Sequence, residues 1–289
     1  MPLERRAVRG GLSAEPAAEA GHVREPLAGI RAITFDFGNT LAPVSRAGLL
    51  AVTERTALEA TAALGLQDPG PFHEVWTAER ERQLREDVPA FREMDMEQRA
   101  TRVVARLRGM PAPGPLERWD DVAAADRAAP ADVAAILDAY SRAFVEAIAP
   151  AAGAGELLAT LAGRGFRLAI LSNWPLATTI DRYATAAGWA PYLAGIFVSQ
   201  RIGAIKPHPA IFAFAAQHLA VPPREILHVG DDWAADVVGA SAAGWRVAWL
   251  RGAQVDTPLP TSSRTSGPDP DLELDRLTDL ASRIADPTA

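Results

Sequence analysis

Five short apolar segments, at 32–35, 167–171, 195–199, 225–229 and 246–250, constrain the fold more than any other feature. None alternates polar and apolar residues, so each suits a strand buried on both faces. From residue 153 onward they alternate with helical patterns at 156–162, 176–187, 209–219 and 234–243. Strands alternating with helices predict an α/β architecture, a Rossmann-like parallel sheet covered on both sides. A last edge strand at 272–274 and a closing helix at 277–284 are expected, after a surface loop at 252–270.

The alternation fails once. Residues 46–149 carry no strand pattern, and Val133, Ile136, Leu137, Tyr140, Phe144 and Ile148 fall on one helical face. Further helices are expected within 46–64, 71–86 and 93–108, separated by Pro- and Gly-rich breaks at 67–71 and 110–115. The expected organisation is an α/β core from 29–45 plus 150–289, with a helical insertion at 46–149. Residues 1–28 lack the apolar core of a signal peptide and read as a flexible leader.

Composition excludes several functions. The net charge of −7 argues against a nucleic-acid surface and leaves a small molecule as the expected partner. With no cysteine, thiolate catalysis, disulfides and Cys-ligated zinc are out, and the five histidines show no metal-site spacing. No apolar run approaches about 20 residues, so no membrane helix is expected and the cytoplasm is the default compartment.

The strand ends carry the chemistry. In open parallel sheets, ligands sit beyond the carboxyl ends of the strands. Three of the segments here end on Asp36, on Ser172-Asn173 and on Asp231-Asp232, and Ile205-Lys206-Pro207 leads into a helix after a fourth. Lys206 is the only lysine in the chain. Carboxylates, a hydroxyl, an amide and an ammonium gathered at one edge suit phosphoryl chemistry. Magnesium takes carboxylate and carbonyl oxygens, and a phosphate takes N–H donors and a point charge. Asp36-Phe37-Gly38 also spells the kinase DFG tripeptide, but no glycine-rich loop, HRD or APE segment accompanies it. Gly153-Ala154-Gly155 has no third glycine and no preceding strand, so it reads as a hinge and a helix start.

Four motifs in order resemble the haloacid dehalogenase (HAD) superfamily: TFDFGNTL at 34–41, ILSN at 170–173, AIKP at 204–207 and HVGDDWAAD at 228–236. The helical insertion resembles the cap of the subfamily with C1-type lids. The resemblance implies a phosphoric monoester hydrolase in which Asp36 attacks phosphorus and forms an aspartyl-phosphate. It implies that Lys206 is catalytic and, with Ser172 and Asn173, binds the phosphoryl oxygens. It implies a magnesium site from Asp36, the Gly38 carbonyl and Asp231, with Asp232 and Asp236 acting nearby, through water or by orienting Lys206. The implied substrate is a small phosphorylated metabolite.

One position departs from the resembled pattern. The family's phosphatases usually carry a second Asp two residues after the nucleophile, as general acid and base, and here that position is Gly38. A residue of the insertion, such as His73 or Glu74, or solvent would have to replace it. Two rival expectations follow: a catalytically weak phosphate-binding protein, and a metal-independent 2-haloacid dehalogenase. A Schiff-base phosphonatase would need a lysine in the insertion, which the chain lacks. His228 reads as a satisfied core histidine. Trp174 is open between packing under the cap and touching substrate.

Overall fold

A computed structural model describes residues 25–90, 92–115, 117–252 and 256–287. Six strands form one fully parallel sheet: β1 Ala32–Phe35, β2 Arg167–Ser172, β3 Leu193–Val198, β4 Ile226–Gly230, β5 Arg246–Leu250 and β6 Leu272–Leu274. Their order is β3-β2-β1-β4-β5-β6, so the chain leaves β1 in both directions. That reversal beside β1 opens a crevice at the carboxyl edge, where α/β sheets bind ligands. Phe35 aligns with Ile170 on β2 and Val229 on β4, and the Asp36 N–H still donates to the Val229 carbonyl at 2.8 Å. The sheet therefore fixes Asp36 by backbone pairing one residue past the strand.

Period-two alternation divides β1 between two apolar layers. Ile33 and Phe35 pack with Leu168, Ile170, Leu227 and Val229 on one face. Ala32 packs with Ala169, Leu171, Ile226, Phe212 and Trp245 on the other. The helices following the strands are α6 Ala154–Gly163, α7 Ala177–Ala186, α8 Ser199–Ile202 and α9 Pro209–Leu219. Gly153 starts α6 with φ +76°, a conformation that glycine adopts without strain. The third strand ends at Val198 rather than 199, because Ser199 opens α8.

Between β1 and α6 the described residues form no strand, only helices joined by loops: α1 Arg46–Ala63, α2 Gly70–Glu86, α3 Met96–Leu107, α4 Asp121–Ala125 and α5 Pro130–Ala147, with one short 3-10 turn after α2. The five-residue α4 was not expected. It forms because Asp120 caps it, accepting from the Ala123 N–H at 3.0 Å. An aromatic cluster joins this interval to the sheet. Phe144 of α5 lies 6.1 Å from Phe37 and 5.1 Å from Trp174, centroid to centroid.

The helix expected at 234–243 begins instead as a π-helical segment, Trp233–Val238, and becomes regular only in α10, Gly239–Ala242. Such wide turns commonly occur at functional sites. Of the leader expected over 1–28, residues 1–24 lie outside the described residues; Leu27 pairs with the chain's far end through Arg283 and Ala285. Among the described residues, no helix is long and apolar enough to cross a membrane.

Candidate active site

The turn after β1 is built by Asn39. Its φ of +59° suits a residue type that tolerates the left-handed region, and its side-chain oxygen accepts the Val44 N–H at 3.2 Å. This reversal leaves Asp36 and Gly38 on the wall of a cavity of about 370 Å³, a size suited to a small ligand. Asn173, Lys206, Asp231, Asp232 and Asp236 line the same cavity. Four chain segments that are far apart in sequence therefore meet there.

Lys206 is the hub of the cluster. Its buried Nζ donates to Asp36 Oδ1 at 2.8 Å and to Asp236 Oδ1 at 2.6 Å. Burial alone would lower the ammonium, but Asp236 and Asp36 overcome it and hold Lys206 above its usual value. Asn173 fixes the Lys206 backbone from both sides. Its Oδ1 accepts the Lys206 N–H at 2.6 Å and its Nδ2 donates to the Lys206 carbonyl at 3.0 Å. The second N–H of the Asn173 amide has no acceptor among the described residues. Ser172 is buried at the end of β2 rather than on the cavity wall, and its hydroxyl reaches only the Asn173 carbonyl, at 3.5 Å.

The π-helical turn aims Asp236 back into the cluster. Its Oδ2 accepts the Asp232 N–H at 2.9 Å, and its Oδ1 also meets His228 Nε2 at 3.0 Å. A carboxylate can only accept, so Nε2 carries the proton and His228 Nδ1 accepts from the Thr34 hydroxyl at 2.8 Å. His228 is thus a satisfied core histidine that also holds Asp236. Gly230 is required beneath it: a Cβ there would lie 2.2 Å from Asp236 Cγ.

Oxygens of Asp36, Asp231 and Asp236 lie within 4.8 Å of one another. Burial, then the charges of Asp36 and Asp236, push the Asp231 carboxyl up to about 8. Burial pushes Asp36 up to about 6 against the pull of Lys206. Three crowded acids with one ammonium lack positive charge, and a hard divalent cation with oxygen ligands fits that deficit. The Thr40 hydroxyl, donating to Asp231 Oδ1 at 3.2 Å, orients the third acid.

Asp232 lines the cavity but spends its carboxylate on other bonds. Its carboxylate accepts from the Ala235 N–H at 2.7 Å, the Ser262 N–H at 2.7 Å and the Ser262 hydroxyl at 2.6 Å. Those bonds make it a helix cap and a tether for residues 256–262, and its oxygens are absent from the three-acid cluster. The loop expected on the surface at 252–270 is in this part a wall of the site. Thr257 bonds the Asn39 amide at 3.2 Å, and Leu259 lies over Gly38, where a Cβ would meet Leu259 Cδ1 at 2.7 Å.

His73 and Glu74 do not line the cavity, whereas Glu93 does. Glu93 accepts the Ser199 hydroxyl and the Met94 N–H, and Ser199 Oγ accepts the Trp174 N–H at 2.9 Å. This chain of bonds latches the helical interval to the residue after Asn173. Burial raises the Glu93 carboxyl. Trp174 packs edge-on to Phe37 at 5.3 Å and to Phe144 of α5 at 5.1 Å, and it also lines the cavity.

The sequence profile of the haloacid dehalogenase-like hydrolases matches residues 30–244, most of the chain and all four converging segments. The chain belongs to that family. Over 256 residues it is 27% identical to a glyceraldehyde 3-phosphate phosphatase of Methanopyrus kandleri, covering 87% of this chain and 95% of that protein. Over 218 residues it is 29% identical to a ribulose-1,5-bisphosphate 5-phosphatase of Halopiger xanaduensis, covering 74% and 81%. A 5-amino-6-(5-phospho-D-ribitylamino)uracil phosphatase of Escherichia coli is 34% identical over 40% of this chain, a match that spans about half of that protein, 48%. Among solved structures, a 2-haloacid dehalogenase from Pseudomonas syringae superposes with a TM-score of 0.58 at 21% identity, covering 88% of this chain and 97% of that one. At that identity the likeness concerns the HAD fold alone.

Proposed function

We propose that this HAD hydrolase is a magnesium-dependent phosphatase of a small phosphorylated metabolite, working through an aspartyl-phosphate on Asp36. The observation that carries the reading is the Lys206 ammonium bonded to Asp36 and Asp236, with Asp231 completing a crowded acid cluster beside them. A dehalogenase that works without metal would leave those acids uncompensated.

Lys206 holds Asp36 Oδ1, which leaves the other carboxylate oxygen to attack phosphorus. As the Asp36 O–P bond forms, the ester O–P bond breaks. The electron pair leaves on the ester oxygen, which takes a proton from water. A second water then attacks phosphorus, releasing inorganic phosphate and restoring the Asp36 carboxylate. Lys206 offsets the charge that builds on the phosphoryl oxygens, and the second N–H of Asn173, whose amide is bonded to the Lys206 backbone, is the neutral donor beside it; Ser172, implied as a phosphate ligand by the resemblance, is off the cavity wall. Asp36, Asp231 and Asp236, with the Gly38 carbonyl, would hold magnesium, which supplies further charge neutralisation at the phosphoryl group. Residues 46–149 act as the cap over this core, and the Glu93–Ser199 latch holds the cap closed.

Two measurements test the reading. Magnesium is expected to release phosphate from an aryl phosphate in an EDTA-sensitive manner. It is also expected to raise the melting temperature, with Asp231→Asn cancelling that rise; at 100-fold the Kd the added stability is about 2.7 kcal/mol. EDTA-insensitive halide release from 2-haloacids, without phosphate release, overturns it.

The glycine at 38 adds a leaving-group prediction. With no carboxyl there, alkyl phosphates, whose leaving oxygen needs a proton, are expected to lag behind aryl phosphates. Gly38→Asp with Leu259→Ala, which vacates the occupied space, is expected to raise the alkyl-to-aryl ratio of kcat/KM by about 100-fold. Gly38→Asp alone must displace Leu259 and is expected to gain less. An unchanged ratio in the double variant counts against a missing acid.

A further inference from the structure

Arg99 of α3 is buried, 3% exposed, and lines the cavity. Its Nε donates to Gln83 Oε1 at 2.9 Å, but its terminal nitrogens meet only thioethers: Met96 Sδ at 3.6 Å and Met94 Sδ at 3.8 Å. Thioether sulfur is a weak acceptor. Among the described residues Arg99 forms no ion pair. Its neighbours on the same helix do: Arg102 pairs with Asp121 at 2.8 Å and Arg106 with Glu79 at 3.0 Å. The Glu79 carboxylate is further engaged by Trp119 Nε1 at 2.9 Å. A buried cation without a carboxylate partner is costly to maintain, so its exception among paired neighbours points to an absent anion.

Other features of this wall agree. Arg80 also lines the cavity and has no carboxylate partner among the described residues. Burial first, and then the Arg80 charge, bring Arg99 down to about 10 against the opposing pulls of Tyr140, Glu93 and Glu79, none of which bonds to it. Tyr140 lines the cavity with no hydrogen bond to its hydroxyl among the described residues, and the buried Trp174 Nε1 has no partner. Trp76 stacks under the guanidinium, its ring centroid 5.2 Å away, and leaves the group's edge as the donor surface. Leu49, Leu84 and Leu259 line the same space with apolar surface, which strengthens any charge pairing there.

We propose that Arg99, assisted by Arg80, forms a second anion subsite in the cavity that holds Asp36 and Lys206. The substrate class is then a phosphate ester whose leaving portion bears a second anionic group, a carboxylate or another phosphate. The inference rests on the phosphatase reading for the first site and on cap residues alone for the second.

The test compares n-propyl phosphate, 3-(phosphonooxy)propanoate and propane-1,3-diyl bisphosphate by phosphate release with magnesium. The wild-type chain is expected to prefer one of the two anionic esters, and which one identifies the second group. Arg99→Met is expected to lower that preference, as the ratio of kcat/KM to that of n-propyl phosphate, by at least about tenfold, mostly through KM. Arg99→Lys, which keeps a point charge, retains part of it. Equal losses on all three esters mark Arg99 as merely structural, and an unchanged ratio removes the subsite; either result leaves the phosphatase reading standing. Binding is read separately, as the melting-temperature rise given by 3-phosphonopropanoate over propylphosphonate. If no ester is hydrolysed yet that extra rise appears in the wild type and not in Arg99→Met, the subsite stands and the phosphatase reading falls. Absence of the extra rise overturns the subsite.

Discussion

Asp36→Asn is expected to lower phosphate release from an aryl phosphate by at least about 10⁴-fold, the scale seen when an enzyme loses its nucleophile. The amide keeps the shape of the carboxylate and can still accept from Lys206 Nζ, which lies 2.8 Å from Asp36 Oδ1. It cannot form the acyl phosphate, because the amide oxygen is a poor nucleophile. The fold is expected to survive. Burial raises the Asp36 carboxyl to about 6, above the value of about 3.9 in an unfolded chain. Between those values the folded state binds more protons than the unfolded one. The stability Asp36 contributes is therefore full below about pH 3.9 and is lost as pH rises through about 6. A neutral amide escapes that loss, so without magnesium the variant is expected to melt no lower than the wild type at pH 7. Comparable turnover by the two proteins would remove Asp36 from the chemistry, and a variant that melts early would make the loss of rate a loss of fold.

The strand ends were legible because their chemistry is local. A run such as Ala32–Phe35 is buried on both faces wherever it sits in a parallel sheet, and the residue after it must emerge at the carboxyl edge. Asp36, Asn173, Lys206, Asp231 and Asp236 could therefore be brought to one cavity from their positions in the pattern. The two residues near this edge that behave differently do so for reasons set by distant contacts. Asp232 stays out of the acid cluster because Ser262, thirty residues on, offers it two donors. Ser172 stays beneath the wall because the next residue spends its side chain on the Lys206 backbone.

What was not legible depends on tertiary packing without periodicity. Residues 256–262 have the composition of a surface loop, and only the bonds of Thr257 to Asn39 and of Ser262 to Asp232 draw them over the site. Glu93 and Arg99 lie among many charged residues of the helical interval, where most charges face solvent. Arg99 is buried among α2, α3 and α5, and Glu93 against Ser199 of α8, and no spacing along the chain marks either. The sequence signal that existed was slight: Arg99 lies between apolar positions on the α3 face that also buries Met96, Ala100 and Val103.

Asp236→Ala is expected to destabilise the protein by about 3–5 kcal/mol, the scale for breaking a buried ion pair by deleting one partner. The deletion strands three groups at once. Lys206 keeps only Asp36, His228 Nε2–H loses its acceptor, and the Asp232 N–H, bonded at 2.9 Å, loses Oδ2. Asp236→Asn does not rescue it. With the amide oxygen turned toward Lys206 and His228, the amide nitrogen must face the Asp232 N–H, donor against donor. The pH window separates this effect from general destabilisation. Burial pushes the Asp236 carboxyl up, but Lys206 and His228 overcome it and leave it well below the usual range. Its contribution is present above about pH 3.9 and fades as pH falls through the lower folded value. Lys206 is held above its usual value, so its side of the pair persists below about pH 10.4 and fades as pH rises through the higher folded one. The difference between wild type and Asp236→Ala in urea unfolding, measured in EDTA, is thus expected to be largest near pH 5, to shrink in stronger acid, and to shrink also as pH rises through about 6 to 8, where the Asp236 charge opposes ionisation of Asp36 and Asp231. A difference under about 1 kcal/mol near pH 5 would mean that Lys206 is held by Asp36 alone, and that the acid cluster is looser than its bond lengths imply.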